Sequence, residues 1–316
     1  MDPLSDVLSL LKPRNYLSAG FDAAGDWAIQ FKGSPQSIKS GAVVTGTCWL
    51  AVEGVKQPVK LETGDCFLLP RGRPFRLATD LKLPATDARE IFPPVRRGGI
   101  ATHEGGGEFF LVSCLFDFSG DRAGMLLGLL PPVVHLSREM DQGTLRWSVE
   151  RMMQELREPQ PGSVLVIQHL AQMILVQALR LHLRDAATAS AGWLSALADK
   201  QIGAAITAMH GNPAHRWTLQ ELASFAGMSR SSFAERFKQK VGASPIDYLS
   251  RWRMLLASDR LANSDDPIGV VASALGYESE SAFSAAFRRV MGVSPRQFAR
   301  NRDATPAIDG MAPLAS

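Results

Sequence analysis

The chain has 316 residues, of which 46% are hydrophobic and 21% charged, and its formal charge is +3. This is the composition of a soluble globular protein with room for two cores. No apolar run approaches the roughly 18–20 uncharged residues of a membrane helix, and the Met1-Asp2 start lacks a signal-like stretch, so a cytoplasmic protein with no membrane partner is expected.

From residue 1 to about 137 the chain reads mainly as strands and turns. Trp27 to Phe31, Ala42 to Val52, Cys66 to Leu69 and Phe109 to Phe118 are short apolar or alternating runs, separated by Gly, Pro and Asp. Between Ala78 and Gly107 no period emerges, and Pro93-Pro94, Arg96-Arg97, Gly98-Gly99 and Gly105 to Gly107 give it the character of a lid or disordered excursion. The three cysteines, Cys48, Cys66 and Cys114, form no CxxC and suit buried thiols in a reducing compartment.

From Glu139 onward the pattern is helical. A helix over Ser163 to Arg184 places Ile167, Leu170, Ile174 and Leu181 on one face, and Leu165, Val176, Leu179 and Leu183 on the opposite one. Apolar on both sides, it must be covered on both sides: by its own domain and a second copy in a homodimer, or as the central helix of a monomeric bundle. The Ala- and Pro-rich residues 303–316 read as a disordered tail.

Near the C-terminus the sequence repeats itself. Phe233, Phe237, Lys238, Gly242, Ser244, Pro245 and Tyr248 recur fifty residues on as Phe283, Phe287, Arg288, Gly292, Ser294, Pro295 and Phe298. Leu219, Leu222, Ala223 and Gly227 recur at forty-nine as Ile268, Val271, Ala272 and Gly276. Each copy reads as helix, tight turn, helix, a geometry that sets its second helix in a DNA major groove. In the first copy Thr218 to Glu221 has capping-box spacing, Gly227 permits the turn, and Ser229 caps a helix over Arg230 to Val241. The second copy runs from Ile268 to Leu275, turns at Gly276-Tyr277-Glu278, and continues as a helix over Ser279 to Met291. A helix from Pro245 to about Leu261 joins them. The charge follows the repeat: up to Ala198 there are twenty basic and twenty acidic residues, whereas Asp199 to Arg302 holds fourteen basic and nine acidic. The expected partner is double-stranded DNA.

The pattern Phe-x3-Phe-Lys-x3-Gly-x-Ser-Pro-x2-Tyr, repeated with Arg for Lys, resembles the AraC/XylS transcriptional regulators over about Ala198 to Arg300. The resemblance implies one seven-helix domain whose two reading helices enter successive major-groove segments. Its base-reading positions fall on Ser231, Ala234 and Glu235, and on Glu280, Ser281, Ala282, Ser284 and Ala285. None of these is an Arg, Asn or Gln able to grip a base edge with two bonds. Ser229, Arg230, Lys238, Ser279, Arg288 and Arg289 are candidates for holding phosphates.

In the N-terminal half, Gly64-x5-Pro70-x-Gly72-x2-Phe75 resembles the second motif of cupin barrels, with Phe75 where the metal-binding His usually stands. Gly46 to Leu50 is similar to the cupin-type sensory domain fused to such regulators. No His precedes His103, and the six histidines form no HxH or HExxH, so no metal or other cofactor is expected. Trp49, Arg71, Arg73, Phe75 and His103 are the candidate effector-binding residues. The implied architecture is multidomain, α and β: a cupin-like β-barrel at 1–137, a helical linker and dimerisation segment at 138–195, an all-α double helix-turn-helix domain at 196–302, and the tail. No catalytic residue is assigned. A small-molecule effector and RNA polymerase are further candidate partners. A cupin enzyme with accessory DNA-binding helices and a thiol-switch regulator using the three cysteines are the alternatives.

Overall fold

The computed structural model describes residues 2–34, 37–92, 99–117, 130–137, 143–185 and 193–301. The stretch Pro93 to Gly98 and the tail expected at 303–316 lie outside them. The chain forms two units, Leu11–Ala198 on one side and Met1–Leu10 with Asp199–Ser316 on the other.

In chain order the first elements are α1 (Pro3–Leu11), β1 (Arg14–Ala23), β2 (Ala28–Phe31), β3 (Ser37–Thr45), β4 (Thr47–Val52), β5 (Val59–Glu62), β6 (Cys66–Leu69), β7 (Phe75–Ala78), β8 (Thr86–Asp87), α2 (Ala88–Ile91), β9 (Gly99–His103), β10 (Phe109–Asp117) and β11 (Val134–Leu136). Helices α3 (Gly143–Arg157), α4 (Ser163–Asp185) and α5 (Trp193–Ala198) follow. One sheet has the order β11-β6-β3-β10-β1-β9 and the other β5-β4-β7-β2-β8. Period-two alternation sends Phe21, Val43, Phe67 and Leu111 from the first sheet and Ile29, Cys48, Leu50 and Leu77 from the second into one shared core. This is the cupin-like arrangement expected from the sequence. Its sheets remain open, however: no hydrogen-bonded pairing links one to the other among the described residues, so they form two facing layers and not a closed barrel.

The span Ala78 to Gly107, read from sequence as irregular, contains β8, α2 and β9. Strand β9 lies parallel to β1 at the sheet edge, pairing Ala19 with Gly99 through Ala23 with His103. Its residues are half-buried or exposed, which leaves no apolar alternation to read.

The outer face of the six-stranded sheet is covered by helices. Helix α3 packs on β1, β3, β9 and β10, and α4 on β1, β6 and β11. Cys114 Sγ lies 3.6 Å from Met152 Sδ, and Arg157 sits 4.6 Å from the Phe110 ring centroid. Helix α4 buries Leu170, Ala171, Ile174, Leu175, Ala178, Leu179 and Leu181. By length and composition it is also apolar enough to cross a membrane, with a mean hydropathy of 1.5. His169, Arg180 and three glutamines interrupt its apolar run. Helix α3 as well as the sheet packs along it, but at its start Val164 and Leu165 remain 56% and 61% exposed.

The second unit contains α1 and seven further helices among the described residues: α6 (Lys200–Gly211), α7 (Leu219–Phe225), α8 (Arg230–Val241), α9 (Pro245–Asn263), α10 (Ile268–Ala274), α11 (Glu280–Met291) and α12 (Pro295–Asn301). Helix α1 buries Leu4 and Val7 and brings Asp6 Oδ2 to 3.3 Å from Nδ1 of the buried His210. Nε2 of His210 lies 2.8 Å from the Tyr248 hydroxyl, and the ring stacks on Trp252 at 3.8 Å. Neutral imidazole satisfies both partners, with Nδ1–H donating to Asp6 and Nε2 accepting from Tyr248. Burial pushes the His210 pKa down to about 3, well below its ordinary 6.5.

The folded state therefore binds one proton fewer than the unfolded chain between those two values. The stabilisation is complete above about pH 6.5 and is lost as pH falls, at up to about 1.4 kcal/mol per pH unit. His210→Phe is expected to flatten the loss of stability between pH 6.5 and 4. Urea melts of both proteins across that range check it.

Candidate nucleic-acid interface

Two helical hairpins carry the candidate site. In the first, the Thr218 side chain accepts the Glu221 amide at 3.2 Å, while Glu221 accepts the Thr218 amide at 2.7 Å, a complete capping box that opens α7. Gly227 turns the chain at φ 62°, and Ser229 caps α8 by accepting the Ser232 amide. In the second hairpin Gly276 turns at φ 79°, and Ser279 caps α11 by accepting the Ala282 amide. Gly242 and Gly292 end the two helices in the left-handed conformation, at φ 81° and 78°. Ser244 and Ser294 then cap α9 and α12.

Phe233 and Phe237 of α8 are fully buried, as are Phe283 and Phe287 of α11. Each pair is in ring contact, with centroids 5.6 and 5.7 Å apart. Residues 231–240 and 281–290 follow the same sequence of exposed, half-buried and buried positions. On α8 this leaves Ser229, Arg230, Ser231, Glu235 and Lys238 exposed and Ala234 half-buried. On α11, Ser279, Glu280, Ser281, Ala282, Ala285, Arg288 and Arg289 are exposed, with Ser284 half-buried. The candidate residues thus share one outward strip on each helix. Glu235 accepts a bond from Gln239 at 3.2 Å, and Glu280 lies 3.6 Å from Arg296.

The hairpins are joined by α9 and by contacts with no sequence signal. Arg253 of α9 donates from Nε to the Pro213 carbonyl at 2.6 Å and from Nη2 to the His215 carbonyl at 2.8 Å. Its guanidinium lies 5.7 Å from the Tyr277 ring centroid. Arg216 pairs with Glu278.

The candidate effector residues are not brought together as a set. Phe75 is buried between the sheets, stacked on Phe31 at 4.4 Å and 4°. Trp49 is exposed on β4, between the core residues Cys48 and Leu50. Arg71 donates to the Leu130 carbonyl at 2.8 Å and Arg73 to that of Glu53 at 3.2 Å. The His103 carbonyl, at the end of β9, accepts the Ala24 amide. All three cysteines are buried, which pushes Cys48 and Cys66 up to about 12 and also raises Cys114. Such thiols carry almost no thiolate at neutral pH.

An open two-sheet unit joined in sequence to paired helix-turn-helix hairpins defines a DNA-binding transcription regulator with a cupin-type N-terminal half. Residues 2–184 match a family described as a cupin, and residues 222–301 one described as a helix-turn-helix domain. The chain is 43% identical over 302 residues to a protein of Streptomyces antibioticus described as an AraC-like transcription regulator, covering 95% of this chain and 99% of that one. It is 28% identical over 300 residues to the HTH-type transcriptional regulator MtrA of Neisseria gonorrhoeae, with coverage of 93% and 97%. Among solved structures, the DNA-binding domain of AdpA in complex with a target DNA is 31% identical, covering 32% of this chain and 93% of that one, with a TM-score of 0.31. The chain belongs to the AraC-like transcription regulators. These relatives lend no support to the enzymatic or thiol-switch alternatives.

Phe287→Ala is expected to lower the stability of the C-terminal unit by about 3–5 kcal/mol, because the ring is fully enclosed and its removal leaves a cavity. Chemical denaturation followed by circular dichroism tests this.

Proposed function

We propose that α8 and α11 meet successive major-groove segments of one DNA duplex, and that binding is modulated through the N-terminal unit. The matching burial order of the two helices carries this reading, since it turns the same strip of each outward. Arg230 and Lys238 grip phosphates on the first segment, with Ser231, Ala234 and Glu235 nearest the base edges. On the second, Ser279, Arg288 and Arg289 hold the backbone, while Glu280, Ser281, Ala282, Ser284 and Ala285 line the groove. The protein acts in the cytoplasm as a regulator without catalysis. Leu165 and its exposed apolar neighbours on α4 pack against a second copy in a homodimer, and RNA polymerase is the onward partner.

The regulatory half acts by shifting the population of DNA-binding arrangements. One feature of its interior fits an anionic effector. Lys39 on β3 donates from Nζ to Ser113 Oγ on the neighbouring β10 at 3.2 Å, with the Phe31 ring centroid of the second sheet 5.7 Å away. Burial pushes its amine down to about 8. Ser113 and the Cys114 thiol are the groups that meet it, so a bound anion would pair with a charge that otherwise costs stability. Phe31 and Phe75 supply an adjoining apolar wall. Trp49, Arg71, Arg73 and His103 remain candidates for the entrance.

Removing Arg230 or Lys238 should weaken binding to all sequences alike and reduce the slope of log K against log salt by about 0.9 per contact. Fluorescence anisotropy on genome-selected fragments and on random DNA gives both quantities, and an unchanged slope in both variants would reject the assignment. For the N-terminal unit, Lys39→Met is expected to raise the melting temperature of the ligand-free protein, and benzoate or octanoate to raise that of wild type alone. Thermal melts with and without each acid decide it.

A further inference from the structure

The segment Asn212–Trp217, between α6 and α7, is held as a strap. Within it, the His215 amide donates to Asn212 at 3.3 Å, the Trp217 amide to His215 at 2.9 Å, and the Trp217 indole to Asn212 at 2.9 Å. Toward the first hairpin, Trp217 packs on Phe225 with centroids 5.2 Å apart, and His215 lies 3.2 Å from Glu221 of the capping box. Toward the second, the Ala214 carbonyl presses on the turn of Gly276 so closely that an added Cβ would sit 2.1 Å from its oxygen. Tyr277, next in that turn, makes an edge contact with Phe283 of α11 at 5.5 Å.

Arg253 fastens these parts together. Its planar fork donates to two strap carbonyls at once while its centre lies 5.7 Å from the Tyr277 ring centroid, a combination that a lysine ammonium cannot hold in one fixed plane. A continuous series of contacts therefore runs from α7 through the strap and Arg253 to the turn that seats α11. The Arg216–Glu278 pair parallels it, but both of its side chains are largely exposed and it adds little.

We propose that Arg253, acting through the Asn212–Trp217 strap, fixes the separation of α8 and α11 and makes the protein select operators by the spacing of their two major-groove segments. This rests on the two-segment reading given above. Arg253 is a positioning residue, since its partners are the strap carbonyls and Tyr277 and the proposal gives it no contact with DNA. Two binding modules on a rigid joint reinforce each other at one spacing only, whereas a loose joint spreads the same gain over several.

The experiment uses the full chain and an operator selected from genomic fragments. Affinity is measured for the intact operator, for versions with one or two base pairs inserted between segments, and for DNA with the second segment scrambled. Wild type is expected to lose about tenfold or more on insertion, and R253A about threefold or less. R253A is expected to bind the intact operator about tenfold more weakly, and the scrambled DNA as wild type does. R253K, which keeps the charge but not the planar fork that fixes both carbonyls, should fall between them, and it carries the test if circular dichroism shows R253A unfolded. A wild type sensitive to spacing, with the folded arginine variants equally sensitive, overturns the strap and leaves the two-segment reading standing. A wild type that binds scrambled and intact DNA equally overturns both.

Discussion

A helix offers outward whatever its buried side leaves over, so its rotation about its own axis decides what it can touch. In both α8 and α11 that rotation is set by two phenylalanines one turn apart, Phe233 with Phe237 and Phe283 with Phe287, all fully buried. A shift of one residue turns a helix by about 100° and would carry both rings toward water. Each exposed ring would forfeit roughly 1.5–3 kcal/mol of burial, before counting the cavity left behind. Ser229 and Ser279 fix where each helix begins, and Gly242 and Gly292 where it stops. Position along the axis and rotation around it are thus both determined before any outward residue is chosen.

Because the scaffold is duplicated, differences between the outward strips have a simple origin in side-chain chemistry. Helix α8 carries Arg230 and Lys238 around a single Glu235, whereas α11 begins with Glu280 and places Arg288 and Arg289 in its last turn. A carboxylate in the first turn is favourable for the helix, since it meets the positive end of the dipole. It also competes with a DNA phosphate for that same end. Arg296, 3.6 Å from Glu280, offsets part of that repulsion. On the proposed reading, the small Ser281, Ser284 and Ala285 let this face approach a groove closely while presenting few donors.

The parts legible in the sequence were those governed by local rules. The capping box at Thr218, the left-handed glycines and the repeated phenylalanines each act within a few residues, and the helices fall close to where those signals put them. The two-sided apolarity of α4 was equally readable. That α3 and the six-stranded sheet share its covering was not, because the strands β1, β6 and β11 lie far away in the chain. Strand β9 leaves no sequence signal for a related reason: an edge strand with half-buried residues has no alternation, and its partner β1 lies about eighty residues earlier. Helix α1 precedes β1 directly, yet its Asp6 meets His210 two hundred and four residues on. Arg253 bonds to backbone carbonyls, which any residue supplies, so no pattern of side chains announces it.

The lack of bidentate base readers and the presence of the strap bear on each other. On the proposed reading, neither outward strip holds an Arg, Asn or Gln at a base-reading position, and each such contact is worth about 1–3 kcal/mol of discrimination. A regulator that forgoes them must find selectivity in groove shape, in DNA deformability, or in the geometry that relates one segment to the next. Groove shape and deformability require a reader that does not yield to the DNA, because a compliant joint would adapt to wrong sites as readily as to right ones. A glycine turn pressed against the Ala214 carbonyl and a half-buried guanidinium bonded to two carbonyls of the strap are what such an unyielding joint needs. Weak base-reading chemistry and a stiff frame are therefore complementary: the fewer contacts each helix makes with base edges, the more of the discrimination falls on the distance between them.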